Sequence, residues 1–195
     1  MNNDILEQRL MTAPHDPDIP QRLARLAQLA ALGVGDRPDP EFDEFAARLA
    51  AAAKAPYAMV NFVGDEEQYF AGLYGPTSSK ADALEAASSA SRAAPGRTMS
   101  REHGYCPHVV VRRKALVLDD VCAYPRFAVN PVVNSIGVRA YMGAPLIDRT
   151  GTAIGTICVV NTEESSWGRG GLEMIKSMAE EVMELIHRRE QQLGH

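Results

Sequence analysis

Arg139-Ala140-Tyr141-Met142-Gly143-Ala144-Pro145-Leu146-Ile147 and Ala153-Ile154-Gly155-Thr156-Ile157-Cys158-Val159-Val160-Asn161 are the two runs that decide the fold. The second is the most strand-like stretch of the chain, dense in β-branched residues. The first reads as a strand that carries Gly143 and Pro145. Between them lies a short polar turn, Asp148–Thr152, around Gly151. Two strands joined by such a turn predict an antiparallel pair.

Working upstream, Ala115–Asp119 reads as a third strand. The segment Asp120–Asn134 holds Pro125 and Pro131 and reads as a loop with one helical turn. His108–Arg113, apolar then basic, reads as a short helix. Further back, Tyr57–Val63 and Gln68–Tyr74 are aromatic and β-branched runs flanking Gly64-Asp65-Glu66, a second predicted hairpin. Residues 76–100 are dominated by Ala and Ser and read as a mobile insertion with a helix at Ala81–Ser91. Leu23, Leu26, Leu29 and Leu32 recur among strong helix formers, predicting a helix over 21–32 that stops at Gly33 and Gly35. Asp39 is positioned to cap a second helix, with Pro40 in its first turn and Phe42, Phe45, Ala46, Leu49 and Ala53 on one face. Residues 1–20 are polar and hold Pro14, Pro17 and Pro20; they read as a loose tail with one turn near Ile5–Met11.

Downstream, Ser165–Gly171 reads as a loop with the only Trp. A helix from Leu172 to Gln192 follows, in which Leu172, Ile175, Ala179, Val182, Ile186 and Leu193 keep a three-four spacing broken at Arg189. That spacing fits a coiled-coil seam or a helix packed on a sheet, and does not separate them. The order predicts an α+β fold: an antiparallel sheet of five to six strands with flanking N- and C-terminal helices on one side.

Composition bounds the function. A chain of 195 residues and 21.2 kDa, 46% hydrophobic and 23% charged, folds as one domain over 21–192. Its net charge is −5, and its one basic cluster, Arg112-Arg113-Lys114, is three residues long and reads as a solvated turn, so nucleic acid is an unsuitable partner. No apolar run approaches the roughly 20 residues that span a bilayer, and no basic-then-apolar leader opens the chain. Three cysteines, Cys106, Cys122 and Cys158, are too few and too odd for a disulfide framework and fit a reducing compartment. The expected location is the cytoplasm.

Five segments, in order, resemble bacterial GAF domains. Leu29–Phe45 resembles the family's opening segment. Arg101-Glu102-His103-Gly104-Tyr105-Cys106-Pro107-His108 resembles its Ser-Phe-Cys-x-His stretch. Asp119-Asp120-Val121, Pro125-Arg126-Phe127 and Asn130-Pro131 resemble the loop that follows. Arg139-Ala140-Tyr141-Met142-Gly143-Ala144-Pro145-Leu146 resembles the central Arg-x-Tyr-x-Gly-x-Pro-Leu strand, and Gly155–Asn161 the Gly-Thr-Leu-Cys-Val-x-Asp strand. The chain departs from the pattern in three places: Gly104-Tyr105 stands for Ser-Phe, Asn161 for Asp, and residues 76–100 are longer than the usual connection. The resemblance implies a sensory domain that binds a small molecule and passes its signal to a partner or through its own oligomeric state.

The expected ligand site combines the resemblance with strand alternation. Tyr105, Cys106, His108 and Phe127 come from the segment expected to roof the sheet; Asn61, Arg139, Tyr141 and Cys158 come from the strands. Arg139 offers bidentate recognition of an anion. No metal or cofactor is required by the sequence. The alternative is a thiol redox or metal-dependent site using Cys106 with His108, since His103, Cys106 and His108 cluster in sequence. Within the resemblance, the free-methionine-sulfoxide reductase group is set apart by a Gly-His before a catalytic Cys, and that segment is absent around Val133–Ala140. Walker-type loops, nucleophile elbows and the cyclic-nucleotide GAF signature are also absent. The expected output is a ligand-ordered roof that shifts the terminal helices at a homodimer interface.

Overall fold

The structure is a computed structural model and describes residues 13–76 and 96–194. The turn expected at Ile5–Met11, the helix expected at Ala81–Ser91 and most of the predicted insertion lie outside the described residues. Among those described, the elements run α1 (Ile19–Ala31), α2 (Pro40–Ala53), β1 (Tyr57–Val63), β2 (Glu67–Tyr74), β3 (Thr98–Ser100), α3 (Cys106–Arg112) and β4 (Leu116–Leu118). A 3-10 turn at Val121–Ala123, α4 (Pro125–Ala128), α5 (Pro131–Ser135), β5 (Ala140–Ile147), β6 (Ala153–Asn161) and α6 (Gly168–Leu193) follow.

The six strands form one antiparallel sheet in the order β3-β2-β1-β6-β5-β4. β5 and β6 form the predicted hairpin, from Ala140 opposite Asn161 to Ile147 opposite Ala153. Its turn is closed by one side chain: Asp148 Oδ1 accepts from the amides of Thr150 and Thr152 and from the Thr150 hydroxyl. Gly151 supplies the left-handed residue there, at φ 82°. β3 had no counterpart in the sequence reading. It falls at the end of the predicted insertion, where Thr98-Met99-Ser100 pairs with Glu67–Tyr69.

Alternation sorts every strand between two cores. On one face Ala58, Val60 and Phe62 of β1, Met142, Ala144 and Leu146 of β5, and Ile157 and Val159 of β6 pack against α1, α2 and α6. α2 lies so close to the sheet that a Cβ on Gly72 would stand 2.5 Å from the Phe42 carbonyl oxygen. On the other face Tyr57, Met59, Tyr141 and Cys158 meet the 101–138 segment, whose helix α3 packs on β5 and β6. Helices therefore cover both faces, not one: the short helices α3 to α5 form a second layer.

The helix ends follow local chemistry. Asp39 caps α2, accepting from the amides of Glu41 and Phe42. The same carboxylate pairs with Arg189 of α6, which also pairs with Glu41 and stacks over the Phe42 ring at 4.8 Å. This explains the broken spacing at Arg189: the residue leaves the apolar stripe to clamp two helices. Ile175, Ala179, Val182 and Ile186 are buried against this chain's own sheet, which resolves the two readings of the stripe in favour of sheet packing.

α6 begins four residues earlier than expected. Trp167 is held by its indole N–H to the Ala53 carbonyl (2.8 Å) and by its amide to Asp119 Oδ1 (3.1 Å), and the helix starts from that anchor. Gly171 leaves room for the indole, since a Cβ there would meet Trp167 Cβ at 2.5 Å. The described end of the 1–20 stretch is likewise pinned, not loose. Asp16 is buried between Arg22 and Arg101, and Arg22 Nε donates to the Ala153 carbonyl. No helix among the described residues is long and apolar enough to cross a membrane.

Candidate functional site

The roof over the second face is assembled from weak local formers held by side chains. Gly104 takes a left-handed φ of 78°, which turns the chain into α3. Asn130 fastens this turn to the next segment: its Oδ1 accepts from the Gly104 and Val132 amides and its Nδ2 donates to the Gly104 carbonyl. Tyr105 lies across the seam, its hydroxyl donating to the Phe127 carbonyl at 2.9 Å and its ring edge-on to both Phe127 and Tyr141. Without such ties a seven-residue helix would not hold its place.

Between roof and sheet lies a narrow cavity of about 50 Å³. Its sheet wall carries Tyr57, Met59, Phe70, Tyr141, Cys158 and Val160, and its roof carries Tyr105, Cys106, Val132 and Val138. Gln68 closes one end, accepting from Asn61 Nδ2 at 2.8 Å and donating to the carbonyls of Ser100 and His103. The surroundings are apolar, yet the Tyr57 hydroxyl, Asn61 Oδ1 and Thr156 Oγ1 are buried without a partner among the described residues. An unmet buried polar atom costs about 1–3 kcal/mol, so three on one face of one sheet leave that face less completely satisfied than its opposite.

At the deep wall Cys106 Sγ lies 3.5 Å from Cys158 Sγ and 3.3 Å from the Tyr141 hydroxyl. Gly143 makes space for that phenol; a Cβ there would collide with its ring. The contact with Cys158, with the Tyr141 hydroxyl also in reach, lowers the Cys106 thiol against the opposing effect of burial. The same contact and burial push Cys158 up. Burial raises the Tyr141 phenol far above its ordinary value, so it stays a hydrogen-bond donor.

The structure sorts the eight expected site residues into three groups. Tyr105, Cys106, Tyr141 and Cys158 line the cavity, and Asn61 stands behind its wall, bonded to Gln68. His108 and Phe127 pack on each other, with ring centroids 5.3 Å apart, away from the cavity lining. Burial and the charges of Arg126 and Arg112 lower the His108 imidazole to about 4. Arg139 faces away from the cavity, pairing with Asp120 and Glu164 at the surface. The expected pairing of Cys106 with His108 is therefore corrected: the sulfur's partners are Tyr141 and Cys158, because α3 turns residue 108 toward Phe127. Among the described residues no three His, Cys, Asp or Glu side chains gather as a metal site.

Sequence reasoning missed Gln68, Tyr57 and Thr156. The signal was present: Tyr57 and Met59 share the phase of Asn61 along β1, and Thr156 shares that of Cys158 along β6.

Residues 37–186 match the GAF domain family. A cyclic di-GMP phosphodiesterase of Pseudomonas aeruginosa is 26% identical over 180 residues, covering 91% of this chain. The chain spans only 27% of that relative's length. Among solved structures, the GAF domain of an Acinetobacter phosphoenolpyruvate-protein phosphotransferase superposes with a TM-score of 0.58 at 12% identity, covering 89% of this chain and 97% of that one. A free methionine-R-sulfoxide reductase from Neisseria meningitidis, solved with its substrate, superposes at 0.56 with 16% identity, covering 92% and 95%. At those identities the structures speak for the fold alone. With the family matched over most of its length, and its six-stranded sheet roofed as the motifs implied, the chain belongs to the GAF domain family.

Proposed function

We propose that this GAF domain is a cytoplasmic regulatory module of bacterial signal transduction that binds a small molecule in the cavity between the sheet and the 101–138 roof. The observation that carries the reading is the pairing of an apolar cavity with the unpartnered Tyr57 hydroxyl in its wall. The ligand is small and largely apolar, with one polar atom to meet that hydroxyl. The cavity is narrow, so a larger guest must move the roof, and the roof is the part of the fold held by a few side-chain ties. Binding then favours one roof position over another, which is the differential affinity a sensor needs.

The output reaches a signalling partner or a second copy of the chain through the outward surfaces of the terminal helices. The inward stripe of α6 is already spent on the sheet. A regulatory role is preferred to a catalytic one, because the polar groups around the cavity supply no acid–base pair: His108 is turned away and Tyr141 holds its proton.

Native mass spectrometry of the purified chain, with thermal shift in the presence of phenol and of indole, tests the reading. Expected are a co-purifying small species or a rise in melting temperature with one of the probes, each abolished by Val160→Phe, which fills the cavity. No retained species and no stabilisation by either probe would count against it.

A further inference from the structure

We infer that Cys106 and Cys158 form an oxidisable dithiol, closed by a small hydroperoxide into a disulfide that ties α3 of the roof to β6 of the sheet. The two sulfurs come from elements 52 residues apart and stand 3.5 Å from each other. A disulfide needs about 2.05 Å between sulfurs, so closure asks for an approach of roughly 1.5 Å. Side-chain rotation and a small settling of the seven-residue helix α3 supply it.

Two buried cysteines are ordinarily small hydrophobes. Three features set this pair apart. Both sulfurs face the cavity and not solid core, although the two residues are only 5% and 1% exposed. Cys106 also has the Tyr141 hydroxyl at 3.3 Å, and burial keeps that phenol protonated, a neighbour able to donate to a thiolate. Finally, a resolving thiol is already in contact, so a sulfenic acid formed at Cys106 has its reaction partner in place.

The chemistry balances with a hydroperoxide as the oxidant. The Cys106 thiolate attacks the terminal peroxide oxygen; an S–O bond forms, the O–O bond breaks, and the departing oxygen takes a proton to leave as water or an alcohol. The Cys158 sulfur then attacks the sulfenic sulfur. An S–S bond forms, the S–O bond breaks, and hydroxide leaves with the Cys158 proton as water. The two sulfurs have together lost two electrons to the peroxide. Two equivalents of a small thiol reverse the change by exchange. Cys122 is exposed and outside the pair, so it serves as the internal reference for peroxide dose.

The inference shares its cavity with the binding reading but not its logic, and the two fail separately. The full-length chain, fully reduced, is titrated with hydrogen peroxide until Cys122 is oxidised, then digested without reduction. The expected result is a peptide linking Cys106 to Cys158, two hydrogens lighter than its two reduced halves together and separated again by excess small thiol. In Cys158→Ser, a 1,3-dione probe is expected to trap sulfenic acid at Cys106; in Cys106→Ser, it is expected to label neither position of the pair. The peptide map of the unsubstituted protein needs no variant to fold. Cys106 and Cys158 recovered as free thiols at that dose, or either one joined to Cys122, would overturn the inference. Stabilisation of the Cys106→Ser/Cys158→Ser chain by phenol or indole would show the binding reading surviving that failure.

Discussion

The two faces of one sheet have been finished differently. Toward α1, α2 and α6 the strands present Ala, Val, Ile, Leu, Met and Phe, and the helices close on them tightly enough to require glycine at position 72. Toward the roof the same strands present Tyr57, Asn61, Tyr141, Thr156 and Cys158, with polar atoms left over and space between. Strand alternation makes this division possible, because residues next to each other in sequence answer to different cores. One face secures the fold; the other keeps groups whose hydrogen bonding the fold does not complete.

The largest test of that contrast lies in two consecutive residues. Ile157 is fully buried in the helix-side core, and Cys158 faces the cavity. Ile157→Ala is expected to cost about 2–5 kcal/mol, the range for truncating a close-packed aliphatic side chain. Cys158→Ala removes one atom beside existing space and is expected to cost about 1 kcal/mol or less. Denaturant unfolding of both variants reads the difference. Equal losses would mean that the two faces are equally well packed.

Protonation separates the faces next, and the signs can be worked out. His108 is held neutral under the roof, its imidazole lowered to about 4 by burial and by the charges of Arg126 and Arg112. A histidine lowered on folding contributes stability above its ordinary value of about 6.5, and that contribution is lost as pH falls toward 4. The upper bound is about 3 kcal/mol. Asp16, Asp39 and Asp148 behave differently. Burial raises each carboxyl, but hydrogen bonds and arginine partners outweigh it, leaving all three below the ordinary range. Their contribution is present above about 3.8 and lost only as pH falls further. Unfolding measured from pH 7 to 3 should therefore show two declines; His108→Gln diminishes the first, to which His187, also lowered by burial, contributes the remainder, and leaves the second. A single decline below pH 4 in the unsubstituted chain would mean that His108 is not held neutral.

The fold was legible because its strands carry strong side-chain signals. The β5–β6 hairpin and the Asp39 cap follow from residues whose local preference and tertiary role agree. β3 is three residues of Thr, Met and Ser in a polar stretch, and nothing local marks it; β2 defines it by pairing. The start of α6 was hidden by Gly168, Gly170 and Gly171, which argue for a loop until the position of Trp167 is known. Arg22 lies beside the leucines of α1 and is buried because Asp16, from a proline-rich stretch, meets it there. Of the residues that line the cavity, alternation and the family motifs together point to Tyr105, Cys106, Tyr141 and Cys158. They did not show that Cys106 and Cys158 touch, since that contact depends on how α3 sits across the sheet.

The smallest expected effect concerns Arg139, and it sharpens the boundary of the site. Position 139 immediately precedes β5, and its guanidinium meets Asp120 at 3.3 Å and Glu164 at 2.8 Å, with the side chain 39% exposed. Exposed pairs of this kind contribute about 0–1 kcal/mol and weaken with salt. Arg139→Gln is thus expected to lower stability by no more than that amount and to leave phenol or indole stabilisation unchanged. Tyr141, two residues on and inside the cavity, behaves oppositely if the division of faces is right: Tyr141→Phe takes the hydroxyl from Cys106 and alters probe binding and thiol reactivity together. Thermal shift of the two variants with the same probes decides the point, and a loss of binding in Arg139→Gln would move the site off the cavity face and out to the surface at the start of β5.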